Sequence, residues 1–520
     1  MPQSPMLEAA PLAGAPRPST RAVERVVLWS GAEVGRNWMG IARYLQQKTG
    51  AEFSLLCLEP KEEAWCRQWW GPLAAHVQEI ETLYQGLEDP IESPQALEQQ
   101  ARRAELLYDV LMVDLLQADR HLGLAYATGG VRLHRSRVMR QATYHRSLRL
   151  ALRALAFFDR YVQERRPDLI LLQGVASLHT KCLAVVARKY GIPVRIPLSR
   201  LHNLLYWVGD EYYKMPWLDA AYARQPREED SGSPLPRPVE GPYLASAVRR
   251  RKSLRELSLS GTVAACAREL AVAGYRSWLG YRRPTGYLVR EKMAFRVRAW
   301  RRHREWERLS VQASAALQGA RYVLYLLQQE PESSLMVRAP EFNNQAAIID
   351  LLARSLPADV RLVVKEHETT GIAARPPGYY RWLSRIPNVQ LVSMHLNSIP
   401  LIEGSVAVAV ITGTAGMEAA SLGVPVLSFG RRNAFHLIPH VHVVDRLSEV
   451  RPLLAQVCAP EDPGARRARA REGRRFLGAL EACAVDMGTS EFFTPGAQIS
   501  EAKAAAIAEL LLSTLQEEGR

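Results

Sequence analysis

The sequence lacks the features that mark a membrane-spanning chain or a secreted one. No stretch of it runs apolar for the roughly 20 residues that a membrane-spanning helix requires. The segment 1–20 is rich in Pro, Ala and Ser and has no apolar core of the kind that a signal peptide needs. The six cysteines are scattered without a CxxC pair, which excludes a disulfide-stapled secreted domain. We therefore expect a cytoplasmic protein.

Acidic residues are fewer than basic ones. The chain has 53 Asp and Glu against 67 Lys and Arg, which gives a formal net charge of +14. Such an excess predicts an acidic partner, and nucleic acid, anionic lipid and phosphorylated substrates all fit that description. Since no motif that reads nucleic acid is present, we do not expect nucleic acid. A hydrophobic fraction of 48% over 520 residues is enough for two domains with full cores.

Strand and helix patterns alternate in the first half of the chain. Residues 25–29 form an apolar run, and helical spacing follows over residues 38–47. The same alternation returns at residues 169–172, 177–190 and 191–194. This βαβ rhythm predicts a parallel sheet with crossover helices, which is the plan of a Rossmann-like domain.

The segment 244–318 is helical in pattern, rich in Arg and interrupted by aromatic residues. It allows two interpretations. One is a solvated helical hairpin whose aromatic side chains pack on the core. The other is a basic surface that binds anionic membrane headgroups through Arg and interfacial aromatics.

A second set of strands is expected in the C-terminal half, mostly as continuous apolar runs typical of a parallel sheet covered on both faces. These strands are 321–327, 360–364, 389–392, 406–411 and 424–429. The expected organisation is a disordered tail over 1–22, an N-terminal Rossmann-like domain over 23–224, a linker over 225–243, a basic helical connector over 244–318, a C-terminal Rossmann-like domain over 319–498 and a final helix over 499–520.

The strongest local signal follows one of these expected strands. A turn of small residues, 412–416, leads directly into a helix start, so that backbone N–H groups and the hydroxyls of Thr412 and Thr414 point outward at the positive end of the helix. With Gly413 between them, the turn predicts a phosphate site. Glu418 lies in the expected first turn, where its carboxylate either binds ribose hydroxyls or merely complements the helix dipole.

A second signal ends the expected strand 360–364, where Lys365, Glu366, His367 and Glu368 follow one another. Ligands of open α/β sheets bind outside the carboxyl ends of the strands, which is where these side chains emerge. Lys365 and His367 share one face of an extended chain. The imidazole can donate to a phosphate oxygen of a leaving nucleotide; the alternative is a surface lysine beside a histidine bound to a loop carbonyl.

Two carboxylates, Glu330 and Glu332, bracket a proline at the end of a third expected strand. They can hold an acceptor hydroxyl or act as a base, while a capping turn that starts the next helix explains them equally well. In the N-terminal half, His202 and Asp210 are the candidates for the acceptor side, with Asp210 as a catalytic carboxylate. The loops that we expect to face a cleft there are 31–37, 173–174, 199–202 and 210–211.

The three motifs come in order, each at the end of a strand, and together they resemble one known family. The runs that carry the resemblance are QQEPES (328–333), FNNQ (342–345), LP (356–357), VVKEH (363–367), PNV (387–389), ITGTAGMEA (411–419) and LGVPV (422–426). They resemble the capsule polysaccharide biosynthesis protein family, which is related to the bacterial 3-deoxy-manno-octulosonate transferases that make the lipid linker of capsules. The family usually has His-Pro where this chain has His367-Glu368, and an aromatic residue or His before Gln-Pro-Glu where this chain has Gln328.

The resemblance implies a GT-B architecture, in which two Rossmann-like domains face a cleft and additional helices lie between them. The C-terminal domain then holds a nucleotide-sugar donor, for which the resemblance suggests a CMP-linked sugar, and neither a cofactor nor an obligatory metal is expected. The residues implied for the donor are Lys365 and His367 at its phosphate, Thr412, Gly413 and Thr414 in the phosphate loop, and Glu418 near the ribose.

The leading hypothesis is transfer of a sugar from a nucleotide-activated donor to a lipid-linked or growing surface polysaccharide. The reaction would take place at the inner membrane face, where the basic helices 244–317 would attract anionic lipid. A second hypothesis keeps the fold and makes the chain a nucleotide-sugar epimerase, which needs two acids facing the sugar; Glu330 and Glu332 are the candidate pair. A third makes it a non-catalytic scaffold that binds membranes or other polyanions with strong salt dependence.

Overall fold

The fold is described from a computed structural model of the chain. The structure describes residues 23–29, 35–58, 60–87, 89–119, 122, 143–199, 204–209, 215–226, 255–278, 289–330, 332–342, 344–430, 433–462, 464–488, 492–493 and 498–518. The expected tail over 1–22 and most of the expected linker over 225–243 lie outside these residues, as do the acceptor-side candidates His202 and Asp210.

The N-terminal half forms a sheet in which the described residues supply seven strands, in the order β13-β6-β5-β4-β1-β2-β3. These strands are β1 (Arg25–Trp29), β2 (Glu52–Cys57), β3 (Ala74–Glu79), β4 (Leu169–Leu171), β5 (Val194–Ser199), β6 (Leu204–Val208) and β13 (Val485–Asp486). The helices of this half are α1 (Gly35–Thr49), α2 (Pro60–Trp70), α3 (Pro94–Tyr108), α4 (Met112–Gln117), α5 (Tyr144–Arg165), α6 (Leu178–Lys189) and α7 (Pro216–Arg224). The sheet is parallel from β3 to β5, while β6 pairs in antiparallel fashion with both β5 and β13.

The C-terminal half forms a wholly parallel sheet in the order β12-β11-β10-β7-β8-β9. Its strands are β7 (Arg321–Leu326), β8 (Val360–Lys365), β9 (Val389–Val392), β10 (Ala407–Val410), β11 (Val426–Ser428) and β12 (Val441–Val443). Two long helices, α8 (Leu259–Trp278) and α9 (Val289–Leu309), precede it. The later helices are α10 (Ser333–Arg338), α11 (Gln345–Ser355), α12 (Tyr379–Leu383), α13 (Ser398–Glu403), α14 (Thr414–Ser421), α15 (Val450–Val457), α16 (Ala465–Ala482) and α17 (Glu501–Glu518).

The strands form because their apolar runs are covered on both faces, as the buried residues of β4, β10 and β11 show. Polar caps then fix where helices begin. The Ser177 hydroxyl accepts from the N–H of Thr180 at the start of α6, and Asn344 accepts from the N–H of Ala347 at the start of α11. The predicted fold class, two Rossmann-like α/β domains with additional helices, is confirmed.

The end of the chain returns to the N-terminal domain, which differs from the expected division at residue 498. Strand β13 pairs with β6, and α17 packs against α1. Buried polar contacts fix this return: Trp207 donates from Nε1 to the carbonyl of Ile507 at 3.0 Å, and Arg195 donates from Nε to the Thr514 hydroxyl at 3.1 Å. Such distant partners leave no local pattern in the sequence, so local patterns do not predict that β13 and α17 join the N-terminal domain.

Both sheets have a point where the strand order reverses. In the C-terminal sheet the chain runs outward from β7 to β9 and then restarts on the other side of β7 with β10. In the N-terminal sheet the same reversal lies between β1 and β4. Crevices at such switch points, outside the carboxyl ends of the strands, are where open α/β sheets bind ligands. The ends of β7 and β10 are therefore the place where this fold would bind a ligand.

Candidate functional site

The loops after β7 and β10 are joined by the side chain of Gln328. Its amide is assigned with the oxygen toward the turn, because only that orientation satisfies both of its ends. The oxygen then accepts from the N–H groups of Thr412 at 2.9 Å and Gly413 at 2.5 Å, and the amide nitrogen donates to the Thr412 hydroxyl at 3.0 Å. These two N–H groups face Gln328 rather than pointing outward as the sequence pattern suggested.

The start of α14 is the part of the turn that is left for a ligand. Gly413 is the N-cap residue and provides no side chain to the helix end. The N–H groups of Thr414 and Ala415 have no partner among the described residues, and both residues are only partly buried. Because the first N–H groups of a helix carry its positive end, this position suits a phosphate.

Glu418 lies in the second turn of α14, not in the first turn as expected. Its carboxyl is therefore not placed to complement the helix dipole. It is half-buried, and burial raises its pKa to about 7, partly opposed by the nearby Lys365 ammonium. Lys365 ends β8, and Glu418 lies on the helix that follows β10. Because Lys365 acts on Glu418, the ends of β8 and β10 meet at one site.

The end of β8 places Lys365 and His367 differently, although both were expected on one face. Lys365 is buried and its ammonium pairs with Glu368 at 3.1 Å, so the glutamate that replaces the usual proline has a structural partner. His367 is exposed to solvent. Protein nevertheless surrounds it closely enough that desolvation lowers its pKa, to which Lys365 contributes, while Glu332 acts in the opposite direction.

Between these two residues, Glu366 lies at the centre of a buried network. Its carboxylate accepts from Arg375 at 2.9 and 3.0 Å and from the Tyr380 hydroxyl at 2.6 Å. Arg375 also donates to the carbonyl of Gln328 at 2.7 Å and pairs with Glu330 at 2.9 Å. The sequence analysis did not single out Arg375, because nothing in its local surroundings distinguishes it from the chain's many other arginines.

The two candidate acids of the third motif have different environments. Glu330 is buried, pairs with Arg375 and accepts from the Gln345 amide at 2.5 Å. Glu332 is the N-cap residue of α10, its side chain forms no cap hydrogen bond, and it acts on His367 through its charge. The structure thus brings Glu332 to the site with Lys365, His367 and Glu418, while Glu330 belongs to the network behind it.

A polar cluster after β11 also escaped the sequence analysis. The Ser428 hydroxyl lies 2.9 Å from His436 Nε2, and the amide nitrogen of Asn433 donates to the carbonyls of Ile411 and Gly430. Burial lowers the pKa of His436 to about 4, so its ring is neutral at pH 7. Because Asn433 donates to the carbonyl of Ile411, this cluster fixes the end of β10 just before the turn 412–416.

The N-terminal domain contributes its own candidates at the switch point between β1 and β4. The Trp29 ring, at the end of β1, stacks on His179 of α6 with 6.2 Å between ring centroids, and His179 Nε2 lies 2.9 Å from the Tyr84 hydroxyl. Burial raises the pKa of Tyr84, with a contribution from Asp119. A single His in an apolar helix gives no sequence signal, so only the fold identifies this cluster. Helix α10 of the C-terminal domain contacts α4 of this half, so the two domains meet near the site.

The described residues contain neither a cluster of metal-binding side chains nor a membrane-spanning helix. No group of three or more His, Cys, Asp or Glu side chains is placed there to hold a metal ion. No helix in those ranges is long and apolar enough to cross a membrane.

Comparison with known proteins gives one family and a set of solved structures. Structures with a similar arrangement include CalG4, the calicheamicin glycosyltransferase (12% identity, 94% of this chain and 98% of that chain, TM-score 0.28). They also include the glycosyltransferase VinC in complex with dTDP (13%, 93% and 99%, TM-score 0.26) and the UDP-GlcNAc 2-epimerase from Methanocaldococcus jannaschii (10%, 88% and 99%, TM-score 0.24). TM-scores this low say nothing about the activity of this chain.

No curated protein sequence matches the chain. The family comparison is more specific, since residues 246–438 match the model of a family described as "Capsule polysaccharide biosynthesis protein". This region includes β7, β8 and β10 and therefore all three motifs of the site. The resemblance to the capsule polysaccharide biosynthesis protein family that the motifs predict is thus confirmed over residues 246–438.

Proposed function

We propose that the chain is a glycosyltransferase that moves a sugar from a nucleotide-activated donor to a lipid-linked or growing surface polysaccharide at the inner membrane face. The observation that carries the proposal is the group formed by Lys365, His367 and the first N–H groups of α14 at the switch point of the C-terminal sheet. Membership of the matched region in a capsule biosynthesis family supports a glycosyltransferase-like role.

In this proposal the donor phosphate lies against the N–H groups of Thr414 and Ala415. Negative charge develops on the phosphate as the glycosidic bond breaks, and donors already oriented toward it stabilise that charge without reorganising. His367, neutral at pH 7, donates one N–H, and the Lys365 ammonium adds a fixed positive charge behind it. Glu418 binds the ribose. The nucleotide sugar acts as a substrate, so no cofactor is required.

The acceptor would be activated by a carboxylate close to the donor. Of the carboxylates that raise the pKa of His367, Glu332 has the largest effect, and we propose it as the candidate base. Asp210, which lies outside the described residues, is the alternative. The donor base and sugar are not assigned by these contacts; a CMP-linked sugar is the proposal that follows from the family resemblance.

Epimerisation of a nucleotide sugar is the competing enzyme function. It needs two acids that face the sugar, and the pair considered for it was Glu330 and Glu332. Glu330 is held by Arg375 and Gln345 in a buried network, which leaves Glu332 without that partner at the site. The geometry therefore favours transfer. A scaffold without chemistry would have no preference among nucleotides, which the following test addresses.

The test is a thermal-shift titration with CMP, UDP, GDP and ADP. A ligand that binds only the folded state raises the melting temperature, by an amount that grows with its concentration over Kd. We expect one preferred nucleotide, and loss of its stabilisation in His367→Ala and Thr414→Ala. The exposed His76→Ala on β3 is the matched control and should behave as wild type. No shift with any nucleotide at millimolar concentration would reject the proposed donor site.

A further inference from the structure

The outer surface of helix α8 is apolar, and none of the described residues covers it. Leu259, Val263, Leu270, Tyr275 and Trp278 are 54% to 80% exposed, and Trp278 is the most exposed of them. With 20 residues at 1.5 Å rise each, the helix is about 30 Å long, so these side chains form an extended face rather than a single spot. Contiguous exposed apolar surface of this kind marks an interaction site.

The inner side of α8 packs on α9, and ion pairs hold the two helices together. The orientation of the exposed face is therefore fixed by contacts. Glu269 on α8 pairs with Lys292 on α9 at 2.9 Å, and Glu256, just before α8, pairs with Arg296 at 3.0 Å. Helix α9 is in turn anchored to the C-terminal sheet: Trp306 is fully buried and donates from Nε1 to the carbonyl of Val392 at 3.1 Å. The hairpin therefore presents the apolar face on a rigid support.

The hairpin that carries this face has more basic than acidic residues in its two helices. Glu269 is the single acidic residue in the α8 sequence, and its carboxylate is engaged with α9. Arg268 on α8 and Arg301 and Arg304 on α9 are exposed, and none of them has a carboxylate within ion-pair distance among the described residues. Two copies that met through this face would bring two basic hairpins together, whereas an anionic bilayer supplies both an apolar layer and phosphates.

We infer that α8 lies in the plane of an anionic membrane, with the apolar side chains in the headgroup boundary and Arg268, Arg301 and Arg304 near lipid phosphates. This inference concerns a surface distinct from the nucleotide site and stands without the proposed function. It develops one of the two interpretations of the segment 244–318, in which Arg and interfacial aromatics bind anionic headgroups. Of the aromatics considered there, Trp306 packs in the core, while Trp278 faces solvent.

The position of the hairpin links this surface to the site. Helix α9 packs on the short helix Thr370–Ala374, which follows the end of β8, and Arg302 donates from Nε to the carbonyl of Arg375 at 3.3 Å. If the proposed function holds, membrane binding through α8 keeps the cleft close to the layer in which a lipid-linked acceptor is held.

The test is co-sedimentation of the full chain with vesicles at 150 mM NaCl, using phosphatidylcholine alone and phosphatidylcholine with 30% phosphatidylglycerol. We expect binding to the anionic vesicles and a loss of at least about tenfold in Leu270→Gln/Trp278→Gln. Both side chains are exposed, so the variant should fold normally. The matched control is Leu106→Gln/Trp69→Gln, which removes one exposed Leu and one exposed Trp from the N-terminal domain and should bind like wild type.

Several outcomes would overturn the inference. These are no sedimentation of the wild type, equal binding to the two kinds of vesicle, and equal binding of the α8 variant and the control. A dimer in light scattering that the α8 variant dissolves, without vesicle binding, would assign the face to a second copy instead. Nucleotide thermal shifts should be the same in the α8 variant and the wild type, so failure here is separate from failure of the donor site.

Discussion

Arg375 donates two hydrogen bonds to the carboxylate of Glu366, from Nε to Oε2 at 2.9 Å and from Nη2 to Oε1 at 3.0 Å. Both side chains are almost wholly buried. The same guanidinium pairs with Glu330 and donates to the carbonyl of Gln328. One arginine thus joins the end of β7, which carries the Gln328 amide, to the end of β8, which carries His367. Such a planar fork suits bidentate binding of carboxylates.

Replacing Arg375 by Met should strongly destabilise the fold. It leaves the carboxylates of Glu330 and Glu366 buried without their cation, and loss of one partner of a buried pair costs about 3–5 kcal/mol. Chemical denaturation measures the free energy of unfolding. Arg381→Met is the control, because Arg381 is largely exposed and pairs with Glu305 at the surface, where a loss within about 1 kcal/mol is expected. Equal effects of the two substitutions would contradict the structural role of Arg375.

Gly423, in the turn after α14, should tolerate no side chain. Its φ of +71° is left-handed, and an added Cβ would lie 2.2 Å from the carbonyl oxygen of Arg466 on α16. Gly319 has nearly the same φ, +72°, with nothing within 4 Å of the added atom. Gly319→Ala should therefore lose only the conformational term of about 1–2 kcal/mol. Gly423→Ala should lose clearly more, since α14 and α16 must separate; similar melting temperatures would show that the contact is not as close as described.

Nucleotide affinity should rise as pH falls below 7. Burial lowers the pKa of His367, so its ring is neutral at pH 7, and a bound phosphate favours the protonated form. Protonation therefore accompanies binding, and affinity should increase as pH falls from 7.5 to 5.5, by at most about tenfold per pH unit because one proton is taken up. His367→Gln corrects for titration of the phosphate itself. If wild type and variant have parallel pH profiles, His367 does not contact the phosphate.

Glu418 should make the folded state less stable at high pH. Its pKa is about 7 in the folded chain and near 4.5 when unfolded, so the unfolded state releases the proton first. The free energy of unfolding thus falls as pH rises from about 4.5 to 7 and levels off above 7. Glu418→Gln removes this dependence, and its stability relative to wild type should increase between pH 5 and pH 8 in urea denaturation. A constant difference between the two proteins would mean that Glu418 is not held in the protonated form.

Local patterns in the sequence are enough for the strands and for the three motifs at their ends. The apolar runs at β7, β8 and β10 are typical of strands in a parallel sheet that is covered on both faces, and the turn of small residues after β10 is followed by α14. Order along the chain places Lys365, His367 and Thr414 after strands of one parallel sheet, whose carboxyl ends share one edge. The family resemblance adds the prediction that they hold one donor.

Tertiary structure decided what each of these residues is free to do. Contacts between residues far apart in sequence turned the N–H groups of Thr412 and Gly413 toward Gln328, engaged Glu330 with Arg375 and left Glu332 at the site. The return of α17 to the N-terminal domain and the exposure of the α8 face are of the same kind. A local pattern determines which element a residue joins, whereas hydrogen-bond partners, burial and pKa depend on atoms that the rest of the fold brings to it.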